Sequence, residues 1–232
     1  MCRSKVEQPI KLDVDRWERW VEWIERVRSD VKASLTDRSV FRGFNDVVRA
    51  NQSWITEHSG ARFCGFVVRA YVARVALTVR RHSRHHKQAI TLAGVLEQMQ
   101  RCASQFTFDF YLERRPAGGG DHFLQGATFK YVSRDGQVAS EELIKQDIDE
   151  LQRLTEKVEA FVDRELAHLD PRGLPTGVTF NDLDSALDAL DRMACKYIIL
   201  LTGGYRDTLE AAIQDPWKDV FTIPLQQPGS PT

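Results

Sequence analysis

Near the end of a strongly patterned helical segment the chain reads RELAH, with Arg164 and His168 four residues apart. On a helix that spacing stacks the two side chains one turn apart on the same side. A histidine can move protons near neutral pH and a guanidinium can neutralise negative charge, which makes the pair a candidate for chemistry. With Val158 at the centre of the apolar stripe, His168 lies about 80° and Arg164 about 120° to its side, so both are expected to face outward. The plainer account needs no chemistry. A His in a last turn is favoured by the helix dipole, and an exposed Arg is ordinary.

The second cluster is RRHSRHHK, residues 80–87, with four Arg or Lys and three His among eight residues. At the C-terminal end of an apolar helix it reads as a solvated, dipole-favoured cap or as a phosphate-binding patch. In the second reading Arg80, Arg81 and His85 contact phosphate. Arg74, one or two turns earlier, sits among apolar residues and needs either an acid on a neighbouring helix or an anionic substrate. His82, His85 and His86 lack the nearby cysteine or carboxylate that would complete a tetrahedral metal set, so neither metal nor cofactor is expected. GGG at residues 118–120 lacks the flanking strand and Lys-Ser/Thr of a nucleotide loop. No nucleophile elbow or zinc-protease motif occurs.

Helices must carry these groups. From Leu12 to about Leu35, Trp17, Trp20, Ile24, Val27 and Val31 recur every three or four residues, and a second helix is expected to start at Ser39 as N-cap and to end at Ser59-Gly60. Trp23 falls on another face, either at the core rim or against a second subunit. The third segment, RFCGFVVRAYVARVALTVRR, is apolar nearly all round, which predicts a central helix buried on most sides. A shorter helix follows in AITLAGVLEQMQRCAS. Residues 104–139 form the one long irregular region, with Asp135-Gly136 as a hairpin turn between FKYVSR and QVAS. Ser140 caps a helix running to about Leu169, and Thr179 or Asn181 caps the last long one, which Gly203-Gly204 ends.

The expected fold is therefore all-α, a single-domain helical bundle of five or six long helices over residues 1–225, with one irregular or hairpin insertion and a disordered tail at 226–232. With 32 basic and 33 acidic residues the net charge is -1, so any nucleic-acid contact must come from a local patch. From four scattered cysteines, a start without an apolar leader and no long uncharged stretch, a cytoplasmic protein away from membranes is expected. Small Ala160 and Ala167 beside Arg164 and His168 allow close approach of a second copy, so a homodimer is expected.

Several segments together resemble HEPN-like proteins of the abortive-infection U type. They are the helix ending in Arg80-Arg81, ITLAGVL, VDRELAHLD, TFNDLDSALDAL with a later Tyr, and DPW followed by DVF, spanning roughly Val14 to Pro224. The resemblance implies a helical bundle that dimerises, with RNA as substrate and an antitoxin or defence-system protein as partner. It implies a metal-independent ribonuclease of phage defence or toxin–antitoxin systems, in which an RNA 2′-hydroxyl attacks the adjacent phosphate. On it Arg164 and His168 take the catalytic roles, Arg80 and Arg81 contact phosphate, and Asp163 and Asp170 orient the histidine. Family pairs are separated by four to six residues, whereas Arg164 and His168 have three between them and Arg80 to His85 has four. Other members have no activity, so a non-catalytic interaction or nucleotide-binding module is the alternative.

Overall fold

The computed structural model describes residues 11–114, 122–166 and 177–221, and the expected tail at 226–232 lies outside them. The described chain is all-α, with eight α-helices and no β-strand. In order they are α1 Val14–Ala50, α2 Gln52–Glu57, α3 Ala61–Ser83, α4 Leu92–Arg101, α5 Phe108–Arg114, α6 His122–Phe129, α7 Glu141–Phe161 and α8 Phe180–Thr202. α1 packs on α8 and α3, while α7 packs on α3, α4 and α8. The four long helices thus enclose one core, with α4 laid over it.

α1 is a single helix of 37 residues, where two were expected. Its buried face continues in register through Val31, Ser34, Leu35, Arg38 and Phe41, and no Gly or Pro interrupts residues 36–42. Ser39 is consequently not an N-cap. Its hydroxyl donates to Glu210 at 2.5 Å, a tertiary bond that replaces the local one. Asp13 is the true cap, accepting from Arg16 N at 3.0 Å. Trp23 is half-buried at the core rim.

The 104–139 region is more ordered than expected. Phe106, Tyr111, Phe129 and Val132 are fully buried, and Phe106 meets Trp17 at 5.8 Å and Trp20 at 6.3 Å between ring centroids. That aromatic cluster supplies the core that α5 and α6 need to form. Asp135-Gly136 does turn the chain, with Gly136 at φ 76° and Asp135 accepting from Gln137 N at 2.8 Å. The returning segment bridges Thr107, through Phe108 N to Gln137 O at 2.8 Å and Ala139 N to Phe106 O at 2.9 Å, and keeps to FKYVSR only the bonds from Ser140 N to Val132 O at 2.6 Å and from Ser133 Oγ to Val138 O at 2.7 Å. The bridged partner of Val138, Thr107, lies 31 residues back in sequence.

α7 and α8 begin where expected. Ser140 accepts from Leu143 N, and Thr179 forms a reciprocal capping box with Asp182. α8 stops at Gly203 with φ 73°, a left-handed cap that glycine adopts without strain. Beyond it, Asp191 accepts from Thr208 Oγ1 at 2.5 Å and Leu209 N at 2.9 Å, which pins the following segment to the bundle. Trp217 then lies over Gly43, where even a Cβ would meet its ring at 2.7 Å. No helix among the described residues is long and apolar enough to cross a membrane.

Candidate functional site

The C-terminal end of α3 brings its basic run against acids from three other helices. Arg80 Nε donates to Asp163 at 2.5 Å, just past α7. Arg81 and His82 both bond Asp30 of α1, the latter through Nε2 at 3.0 Å. Arg84 bonds Glu159 of α7, and His85 Nδ1 is 2.6 Å from Glu97 of α4. Arg74 has its acid too, Asp37 at 3.2 Å, and is itself more than half exposed. Four of the candidates are thus basic side chains held by carboxylates: Arg74, Arg80, Arg81 and His85. A phosphate at this end would have to displace an acid from each guanidinium that it engaged.

Burial sorts these pairs. Glu159 is 2% exposed at its side chain and Arg84 60%, so a solvent-facing guanidinium reaches down to neutralise a buried carboxylate that also accepts from Thr155 Oγ1 at 2.9 Å. His82 is buried, and its hydrogen bond is the main reason that the Asp30 carboxyl falls to about 2. Sequence reasoning left out Asp30, Glu97 and Glu159. Glu159 was legible, since it stands beside Thr155, Val158 and Val162 on the inward stripe of α7, and a carboxylate there requires a cation. Nothing local marks Asp30 or Glu97 as partners.

After Phe161 the helix widens into a π-helical turn, Val162–Leu166. Val162 stays buried, Asp163 turns to Arg80, and Arg164 is exposed. Among the described residues Arg164 has no ion-pair partner. Asp163 therefore anchors the turn to α3. The other catalytic candidate, His168, and the second orienting candidate, Asp170, lie outside the described residues, as does Ala167.

Along α7, against Arg84 just past the end of α3, runs a groove of about 570 Å³ lined by Arg84, Asp149, Gln152, Arg153, Glu156 and Glu159. Three acids outnumber two arginines there, a balance that repels rather than attracts a polyanion. Among the described residues, no group of three His, Cys, Asp or Glu side chains is arranged to hold a metal ion. The fold and this end together define an all-α bundle with a charge-paired pole, at which Arg164 is available and most other guanidiniums are engaged. No family model matches the chain, and no curated protein or solved structure matches it.

Proposed function

We propose that the protein is a metal-independent ribonuclease of a phage-defence or toxin–antitoxin system, working at the turn after α7. The observation that carries the reading is Arg164, exposed and free of any ion pair among the described residues, on a π-helical turn of the kind that recurs at functional sites. Asp163 one residue earlier is tied to Arg80, so the turn is held from α3. RNA as substrate, and His168 as acid–base group, come from the resemblance to HEPN-like proteins. The 2′-oxygen bonds to phosphorus, the P–O5′ bond breaks, and the proton lost by the 2′-hydroxyl is made good at the departing 5′-oxygen, leaving a 2′,3′-cyclic phosphate. Arg164 lies against the phosphorane charge. DNA lacks the nucleophile and survives. The test is EDTA-treated protein incubated with labelled single-stranded and hairpin RNAs. Cyclic-phosphate ends support the reading, and intact RNA across the set removes it.

A non-catalytic interaction or nucleotide-binding module is the second reading, favoured by the carboxylates that engage Arg80, Arg81, Arg84 and His85. Those charges then stabilise the bundle end. In that case RNA stays whole whatever residue stands at 164.

A further inference from the structure

α3 was expected to be buried on most sides, yet the bundle covers only one. Its inward face carries Tyr71, Val75, Thr78, Val79 and His82. On the outward side Phe63, Phe66, Ala70, Ala73 and Leu77 follow one another at alternating spacings of three and four residues. That is the spacing of a seam between two helices, because it keeps one apolar line facing a partner over successive turns. Phe63 is 59% exposed, Phe66 60% and Leu77 47%, and Ala70 is exposed between them.

Charge says what kind of helix fits the line. From Ala61 to Ser83, α3 holds five arginines and no acid. On one flank of the line Arg74 and Arg81 are held by Asp37 and Asp30 of α1. On the other flank Arg62 and Arg69, seven residues apart, have no ion-pair partner among the described residues. The Arg69 guanidinium lies back over Gly65, where a Cβ would meet it at 3.3 Å, and so lies toward Arg62. A second copy of the chain leaves that charge unanswered, since parallel pairing sets its Arg74 against Arg69. An acidic helix answers it.

We infer that the outward face of α3 docks an amphipathic helix of another protein, one with large apolar residues at three- and four-residue spacing and Glu or Asp opposite Arg62 and Arg69. Ala70 and Ala73 at the middle of the line make room for those apolar side chains, while Phe63, Phe66 and Leu77 pack over the ends of the seam. From Phe63 to Leu77 the seam is about 21 Å long at 1.5 Å per residue, about four turns. A single seam of that length belongs with the small interfaces of transient complexes, so the affinity is micromolar. Docking here does not require ribonuclease activity.

Fluorescence anisotropy on the full chain tests the assignment with a defined probe. The probe is a fluorescein-labelled peptide of about three heptads with Leu along its seam and Glu on both flanks, and its twin carries Lys in place of Glu. The Glu peptide is expected to bind with a Kd of about 10 µM and the Lys twin at least about tenfold more weakly. Phe66→Glu should abolish binding of the Glu peptide with unchanged circular dichroism, because the residue is exposed. Arg62→Glu combined with Arg69→Glu should reverse the preference and make the Lys twin the tighter ligand, which an apolar face without charge selection does not do. The assignment is overturned by no binding of the Glu peptide up to about 100 µM, by equal binding of the two peptides, by a Phe66→Glu chain that binds as tightly as wild type, or by a preference that survives the charge change. It is also overturned if Phe66→Glu converts a wild-type dimer to monomer in sedimentation equilibrium, which places a second copy on this face. The same holds if Phe66→Glu abolishes co-sedimentation of the wild type with phosphatidylserine vesicles, which places lipid there.

Discussion

Arg80 and Asp163 join the last turn of α3 to the π-helical turn after α7 through a 2.5 Å bond, and the neighbour of that aspartate is Arg164. A surface ion pair thus holds the turn that carries the catalytic candidate. Both partners are more than a third exposed, so the pair is worth less than about 1 kcal/mol to stability. Asp163→Asn should leave the melting temperature nearly unchanged while lowering RNA cleavage about tenfold, equivalent to about 1.4 kcal/mol in the barrier. Melting curves and initial rates on one preparation check it. A rate equal to wild type would show that the turn needs no anchor.

Removal of the proposed catalytic groups should act on rate alone. Arg164→Ala and His168→Ala are each expected to lower cleavage by about 10²–10⁴-fold, the usual scale for lost acid–base or charge stabilisation. If Arg80→Ala, Arg81→Ala or His85→Ala is instead the one to abolish cleavage, the chemistry stands and its place moves to the end of α3.

Asp30 gives the protein an acid-sensitive contact. Its carboxyl lies at about 2 when folded and at the usual 3.8 when unfolded, mainly because His82 bonds it. A depressed folded value means that the stabilisation is present above the unfolded value and is lost as pH falls from about 4 through 2. Asp30→Asn should cost about 2 kcal/mol at pH 7, and wild type and variant should converge near pH 2. Urea midpoints measured across that range decide it. A constant difference between the two proteins would mean that Asp30 acts through packing.

Asp147 joins α7 to α8 by accepting from both Lys196, at 2.6 and 2.7 Å, and Tyr197, at 2.6 Å. Burial, with that carboxylate beside it, drives the Tyr197 hydroxyl well above its ordinary value, so it remains a donor at every working pH. Tyr197→Phe should cost about 1 kcal/mol, the net worth of one hydrogen bond, while Asp147→Ala should cost about 3 kcal/mol because two donors lose their acceptor. Denaturant unfolding at pH 7 separates the two.

The segment after α8 is held by few contacts. Buried Arg38 reaches Asp188 at 2.6 Å and Glu210 at 2.7 Å, and Ser39 adds a second bond to Glu210. Glu210→Ala should release this segment, so limited proteolysis should cut between residues 203 and 216 at least several times faster than in wild type, with the bundle left intact. Equal rates would show that Asp191, through Thr208 and Leu209, holds the segment by itself.

Local chemistry determined much of this protein. Ser140 and Thr179 cap helices because a side-chain oxygen three residues before a free N–H satisfies it whatever else is nearby, and Gly203 ends α8 because glycine takes φ 73° without strain. Apolar residues at 3.6-residue spacing likewise placed α3, α7, α8 and the first part of α1. Partners far apart in sequence were decided only by the tertiary structure. Ser39 reads as a cap until Glu210 arrives, 171 residues later, to take its hydroxyl, and the strand-like bridge of Val138 forms with Thr107, far back in sequence, instead of within the local hairpin. Which acid meets each arginine of the RRHSRHHK run depends on how α1, α4 and α7 lie against α3. The composition of the run makes it basic, but only the packing determines that Asp30, Glu97, Glu159 and Asp163 neutralise it, because a charge's effect depends on distance and solvent, which no spacing along the chain encodes.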